Sequence, residues 1–402
     1  MGNKTKVLIL GGGFAGIKTA LELADDDNFS VRLISDRPDF RYYPTLYRTA
    51  TGGSPGASSI PLDEIFKGKN VKLINDRVKS IDRQAKKVSG KEAYSYDILV
   101  IALGVVTNFF GIKGLQEYSY GIKSQAEAQQ LRDHIHKVLM DEGKPDLNYI
   151  VVGGGPTGVE LVGELPSYIN HVMRMHKIKP KKLHIDLVEA APRLMPRMAP
   201  SYSRAIQKRL HKLGIKLYLK EAVLGETTDE LLVSGHSLAS HTVIWTAGVT
   251  NHTFFSKNDF NLNDRGKVVV DNHLQAEDNI YVIGDNADTL YSGMAQTALH
   301  DAVSVANNLK RQVTGRRLKP YKPKKPVYVT PVGPRWAAVV WNNFHFYGWI
   351  GSLLRTAADF AGYKDYEPWW LASKYWLAEH RPYDSCPVCA GKVATPSNLS
   401  KN

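Results

Sequence analysis

Apolar and polar positions alternate between two periods through the first three-quarters of the chain. A short apolar run at residues 7–10 leads into glycines, then into apolar positions at helical spacing over 15–23, then into a second apolar run at 31–34. Short apolar runs bounded by glycine suit buried strands, and a 3.6-residue spacing suits a helix packed on them, so the pattern predicts a βαβ unit. The same order recurs further on, with an apolar run at 149–152, glycines, helical spacing over 159–169 and a strand at 183–188. The expectation is an α/β chain built from two related, Rossmann-like halves, each on a parallel sheet.

Past Lys310 the pattern changes. Residues 310–325 hold eight Lys or Arg and no acid, and residues 336–376 hold six of the seven tryptophans. This part reads as a separate C-terminal module. Residues 336–354 carry no charge but are interrupted by Asn342, Asn343 and His345, which favours a helix lying in a membrane interface over one that spans it. Tryptophan and tyrosine prefer the headgroup level, and each basic side chain near an anionic surface contributes about 1 kcal/mol. An aromatic core cap or a dimer interface is the other reading. The residues from 394 on are small and polar, and disorder is expected there.

A length of 402 residues suits two or three domains, and a net charge of +13 calls for an anionic partner: nucleic acid, a dinucleotide or a membrane face. No export pattern precedes the first strand, so a cytoplasmic start is expected. Cys386 and Cys389 are the only cysteines, which suits a reducing compartment. Their spacing supplies half of a zinc site, and no metal is expected.

The chemistry sits in the glycine turns. Gly11, Gly13 and Gly16, with Phe14 and Ala15 between them, form G-x-G-x-x-G after a strand and at a helix start, where backbone N–H groups approach a pyrophosphate. Asp36 follows the next strand, placed to accept from ribose hydroxyls. Gly153, Gly155 and Gly158 repeat the pattern, and Glu189 ends the strand after it. A carboxylate there accepts from a free 2′-hydroxyl and repels a 2′-phosphate, which favours NADH over NADPH; Arg193 either softens that choice or lies on the surface. A third apolar run at 279–283 ends in Gly284 and Asp285.

With the intermediate run at 96–104, these motifs resemble the two-dinucleotide flavoprotein oxidoreductases related to glutathione reductase. The resemblance implies FAD on Gly11, Gly13, Phe14, Ala15, Gly16, Asp36, Arg37, Val78, Ala102, Gly104, Gly284, Asp285, Ala295 and Gln296. It implies NADH on Gly153, Gly155, Thr157, Gly158, Glu160, Glu189, Ala247 and Gly248. The expected layout is an FAD-binding domain at 1–113 and 253–314, an NADH-binding domain at 114–252 and the C-terminal module at 315–402. Disulfide reductases of this kind carry a cysteine pair near the flavin, but residues 42–52 contain none, so electrons must leave by another route.

Residues 44–52, 108–112, 244–249 and 295–298 narrow the resemblance to the type II NADH dehydrogenases, which pass electrons from NADH to quinone without pumping protons. It implies catalytic roles for Glu160, Gln296 and His300, with quinone as acceptor. It also implies peripheral attachment to the lipid surface on the cytoplasmic face of the cell membrane. A homodimer stays open, and nucleic acid is not expected as a partner. Two positions depart from the family: His300 replaces the second glutamine of Ala-Gln-x-Ala-x-Gln, and Ser35 stands where many relatives place the ribose acid, one residue before Asp36. The alternatives are a soluble NADH-dependent reductase of ferredoxin or rubredoxin, and a flavoprotein resembling apoptosis-inducing factor that binds nucleic acid.

Overall fold

A computed structural model describes residues 4–141, 143 and 146–380. The Cys386/Cys389 pair and the polar tail lie outside the described residues. The first half runs β1 (Thr5–Leu10), α1 (Phe14–Leu23), β2 (Phe29–Ser35), α2 (Leu46–Ala50), β3 (Val71–Asn75) and β4 (Ile98–Ile101). The second runs α3 (Gln125–Met140), β5 (Asp146–Val152), α4 (Pro156–Met175), β6 (Lys182–Glu189), α5 (Pro200–Lys212), β7 (Lys216–Leu219) and β8 (Thr242–Trp245). The chain returns with β9 (Ile280–Val282) and α6 (Ala295–Val313). It closes with β10 (Tyr328–Pro331), β11 (Ala337–Trp341), β12 (Phe344–Gly348), α7 (Trp349–Lys364) and α8 (Trp369–His380).

Among the described residues the first sheet has the order β9-β4-β1-β2-β3, parallel throughout, with the short strand Gln275–Glu277 antiparallel beside β9. The late strand β9 therefore completes the first sheet, and residues far apart in the chain converge at its carboxyl end. The second sheet, β7-β6-β5-β8, is also parallel. Each parallel sheet is covered on one face by helices and on the other by a small antiparallel sheet, residues 80–95 for the first and 223–239 for the second, which is why its strands are continuously apolar: Val7, Leu8, Ile9 and Leu10 are all fully buried. The two crossings between the halves, Val105–Thr107 and Val249–Asn251, pair antiparallel with each other.

The last segment corrects one expectation. Residues 336–348 form no interfacial helix: they make the antiparallel strands β11 and β12, and the helix begins only at Trp349. Asn342 supplies the reason, since its positive φ of 54° turns the chain between two strands rich in β-branched and aromatic residues.

This segment is also part of the core. Tyr363, Tyr366 and Tyr375 join the apolar cluster of the first half, and Val332, Ala338 and Val340 join that of the second. The ring of Tyr363 stacks on Tyr42 at 4.4 Å, and its hydroxyl donates to the Ala57 carbonyl at 3.0 Å. Burying an aromatic side chain of this size contributes about 1.5–3 kcal/mol, so the C-terminal helices add to the stability of the sheets they cover. Among the described residues no helix is long and apolar enough to cross a membrane.

Candidate functional site

Each sheet ends in a glycine cradle. Gly11 leaves β1 at φ +109°, which a side chain would strain, and a Cβ on Gly16 would stand 1.9 Å from the Gly11 carbonyl oxygen. These two glycines let α1 start hard against the strand. Gly13 caps α1, and a Cβ there would meet nothing within 4 Å. The second cradle repeats the design: Gly153 has φ +114°, a Cβ on Gly158 would lie 1.9 Å from the Gly153 carbonyl, and the space over Gly155 is open. Each cradle therefore presents the positive end of a helix to an open space, the arrangement that binds a pyrophosphate.

The first cradle is bordered by Ala102 and Gly104 after β4 and by Gly284 and Asp285 after β9, while Ala295 opens α6. Phe14 and Ala15 lie in the cradle itself, with the Phe14 ring packed on Phe40 at 5.0 Å. Val78 is buried beside this sheet. Asp36 is half exposed beyond β2, with Arg37 at 3.9 Å and Arg77 at 3.7 Å. The Nε of Arg37 is buried without a hydrogen-bond partner among the described residues. An open cradle with an orphaned guanidinium N–H beside it fits an anionic dinucleotide such as FAD. Ser35 lies beneath Gly12 and accepts from the Arg37 amide at 3.2 Å, so the one-residue shift leaves Asp36 as the carboxylate on the open side.

Burial pushes the Asp285 carboxyl up, against the opposing charges of Lys267 and Lys123. Lys267 reaches it from a loop and donates to the Asp285 carbonyl at 2.9 Å, while burial pulls the Lys267 ammonium down.

In the second cradle Glu189 accepts from the Gly154 amide at 2.6 Å and from the Ala191 amide at 2.7 Å. These bonds fix the carboxylate beside the glycines, where a ribose would lie. Arg193 is occupied elsewhere, donating to the carbonyls of Met198 and Pro196 at 2.5 and 2.6 Å. Thr157 sits in the first turn of α4, and Ala247 is exposed at the end of β8 against Gly153. Gly248 is buried where a Cβ would strike the Asn108 carbonyl at 2.2 Å.

Glu160 lies one turn into α4 with its side chain 13% exposed, and burial pushes its carboxyl up to about 8, opposed by Arg355 at 4.0 Å. Gln296 and His300, one turn apart on α6, face the extended basic segment. Gln296 donates to the Val327 carbonyl at 2.9 Å and accepts from its amide at 3.0 Å, and His300 Nε2 lies 2.8 Å from the Lys322 carbonyl. Their polar atoms thus strap residues 322–327 to α6.

Several residues escape a reading of motifs. Asn286, fully buried, accepts from the Gly104 amide at 2.9 Å and donates to the Gly104 carbonyl at 2.7 Å, tying the ends of β4 and β9 together. Asp301 caps the Gly284 amide at 3.0 Å, and burial pushes it up to about 6. The one signal for Asn286 is its place directly after Asp285. Arg355 gives no signal, because its partners come from other parts of the chain.

Residues 5–303 match the family described as pyridine nucleotide-disulphide oxidoreductase. A curated relative, the type II NADH:quinone oxidoreductase of Staphylococcus aureus, is 28% identical over 345 residues, covering 80% of this chain and 85% of its own. Among solved structures, NDH2 from Plasmodium falciparum in complex with NADH superposes with a TM-score of 0.84 at 18% identity, over 95% of this chain and 100% of that one. The sulfide:quinone oxidoreductase of Aquifex aeolicus superposes at 0.76 with 20% identity, over 88% and 89%. These two likenesses establish the fold.

Proposed function

The chain belongs to the pyridine nucleotide-disulphide oxidoreductase family, and from that premise we propose that it is an FAD-dependent, non-pumping NADH:quinone oxidoreductase that works at a membrane surface. The observation that carries the reading is the pair of open glycine cradles on two separate sheets, joined to a helix α2 that holds no cysteine. FAD belongs to the first cradle and NADH to the second, with residues 1–113 and 253–314 as the FAD-binding part and 114–252 as the NADH-binding part.

Bound FAD supplies the two-electron chemistry that side chains lack. The protein's part is placement. Gly11, Gly13 and Gly16 admit the pyrophosphate, Asp36 faces the ribose, and Asp285 stands at the carboxyl end of β9. Glu189 holds the NADH ribose and disfavours a 2′-phosphate, a preference that Arg193, bonded to Met198 and Pro196, does not relax. Glu160, with its proton affinity raised by burial, is suited to hold a proton near neutral pH.

The exposed surface supports a membrane-borne acceptor. Trp349 is 70% exposed, Leu353 62% and Trp369 65%, all on the two C-terminal helices. Large apolar side chains this exposed, in a chain that also carries the basic run 310–325, suit a helix pair lying on an anionic bilayer of the cytoplasmic face. A lipid-soluble quinone is the acceptor available there. A soluble reductase of an acidic protein leaves those tryptophans unexplained.

The test is NADH oxidation by the FAD-loaded protein with a short-chain quinone, with NADPH as control, together with cosedimentation on vesicles containing phosphatidylglycerol. Quinone-dependent turnover with NADH and retention on vesicles are expected. Protein that takes up no FAD, or oxidises NADH at the same rate with and without quinone, overturns the proposal. Truncation at residue 315 is a poor probe, since it strips Val332, Val340, Tyr363 and Tyr375 from the core.

A further inference from the structure

Arg355 on α7 is the meeting point of three parts of the fold. Its Nε donates to Asp359 one helical turn on at 2.7 Å, and one Nη donates to the Pro44 carbonyl at 3.2 Å. The same guanidinium stands 4.0 Å from Glu160 on α4 and 4.0 Å from Glu379 on α8. Its side chain is 12% exposed, that of Asp359 6% and that of Glu379 1%. The close contact is with Asp359; Glu160 is held at arm's length, so the guanidinium is placed by its own helix and presented to α4. Glu379 backs it from α8, and the second carboxyl oxygen of Glu379 is buried without a hydrogen-bond partner among the described residues.

We propose that Asp359 and Glu379 are positioning residues: together they clamp Arg355 between the Pro44 carbonyl and Glu160, so that its charge reaches Glu160 only while the C-terminal helices are docked. The inference rests on the quinone-reductase reading for its meaning but not for its measurement. A guanidinium held in a buried site acts on its neighbours through low dielectric, so small displacements change the interaction strongly. The groups facing Glu160 are Arg355 and Asp359 from α7, with Tyr47 on α2 and Tyr202 on α5 nearby. Those facing Glu379 are Asp359, Arg355, Arg48, Tyr363 and Tyr42.

The sign of one substitution separates a clamp from a mere neighbour. Asp359 opposes ionisation of Glu160 through space, whereas Arg355 favours it. Removing the Asp359 charge with Arg355 still in place would make Glu160 easier to ionise; losing the clamp would make it harder. The readout is the protonated-carboxyl infrared band of Glu160, identified by its absence in Glu160→Gln and followed against pH in FAD-loaded protein. In Asp359→Asn the midpoint should rise by about one pH unit. Glu379→Gln, which removes no charge acting directly on Glu160, should raise it by less. In an Arg355→Leu background, where no guanidinium is left to clamp, Asp359→Asn should lower the midpoint.

Quinone-dependent turnover should shift its pH profile in the same direction, while flavin reduction at saturating NADH changes by less than about twofold. A midpoint that falls or stays put in Asp359→Asn overturns the clamp. If that variant does not fold, an unmoved midpoint in Glu379→Gln overturns it instead. A wild-type protein without quinone-dependent turnover sinks the functional reading and leaves the infrared result standing.

Discussion

The carboxamide of Gln296 and the backbone of Val327 meet through two hydrogen bonds, at 2.9 and 3.0 Å, at the first turn of α6. Because α6 opens against the first cradle, this clasp joins the basic strap to the end of the fold that carries that cradle. Gln296→Ala leaves the Val327 amide and carbonyl without their partner, at a cost of about 1–2 kcal/mol locally. The expected outcome is a loss in kcat/KM for quinone of about tenfold, with the rate of flavin reduction by NADH unchanged. Stopped-flow reduction and steady-state quinone titration measure the two separately, and equal losses in both would count against this placement.

His300 makes the neighbouring bond, 2.8 Å to the Lys322 carbonyl. Glutamine at this position, as in the family pattern, keeps a donor that can reach the same oxygen. His300→Gln should therefore keep most quinone turnover and His300→Ala should lose about three- to tenfold, the cost of about 1 kcal/mol for one hydrogen bond. Equal activity in the two variants would remove His300 from the strap's function.

Glu189 is held by two backbone amides at 2.6 and 2.7 Å, so its place does not depend on a bound ligand. Glu189→Ala should raise KM for NADH about tenfold or more and narrow the preference over NADPH, with little change in kcat. Initial rates with both nucleotides test this, and an unchanged NADH-to-NADPH ratio would show that selectivity lies elsewhere.

These site residues differ in how legible they are in the sequence, for a physical reason. Gly11, Gly16, Gly153 and Gly158 could be read because local backbone geometry demands them within one turn of chain. Glu189 could be read because it ends a strand at a fixed distance from its glycines. Ser35 and Asp36 were readable only as a departure, and the structure turns the shift into a burial difference between adjacent residues. The hairpin at 337–348 is hard to tell from helix in the sequence because its asparagines look like polar gaps in an apolar run, whereas Asn342 is the turn itself. Arg355 was invisible, since its four partners lie on α2's approach, α4, α7 and α8 and no local pattern links them.

Exposed Trp349 and Leu353 lie one turn apart on α7. If they enter the bilayer interface, replacing both with glutamate removes apolar burial and adds repulsion from anionic lipid, a loss of about 2–4 kcal/mol in partitioning. The double variant should remain folded and active toward water-soluble quinone while its retention on phosphatidylglycerol vesicles falls at least tenfold. Undiminished retention would move the contact to another face of the molecule.

Glu226 offers a test of the fold independent of the active site. It is buried at the end of strand Val223–Glu226, its Oε2 has no hydrogen-bond partner among the described residues, and burial pushes its carboxyl up to about 8. In the unfolded chain a glutamate ionises near ~4.3. The folded state therefore holds this proton more tightly, so the contribution of Glu226 to stability is fully present below about pH 4.3 and is lost as pH rises to about 8. Glu226→Gln keeps the shape and removes the titration. Its advantage over the wild type should grow by about 1–3 kcal/mol between pH 6 and pH 9, read as a widening gap in Tm. A gap that stays constant across that range would mean that Glu226 reaches solvent or a partner when ionised.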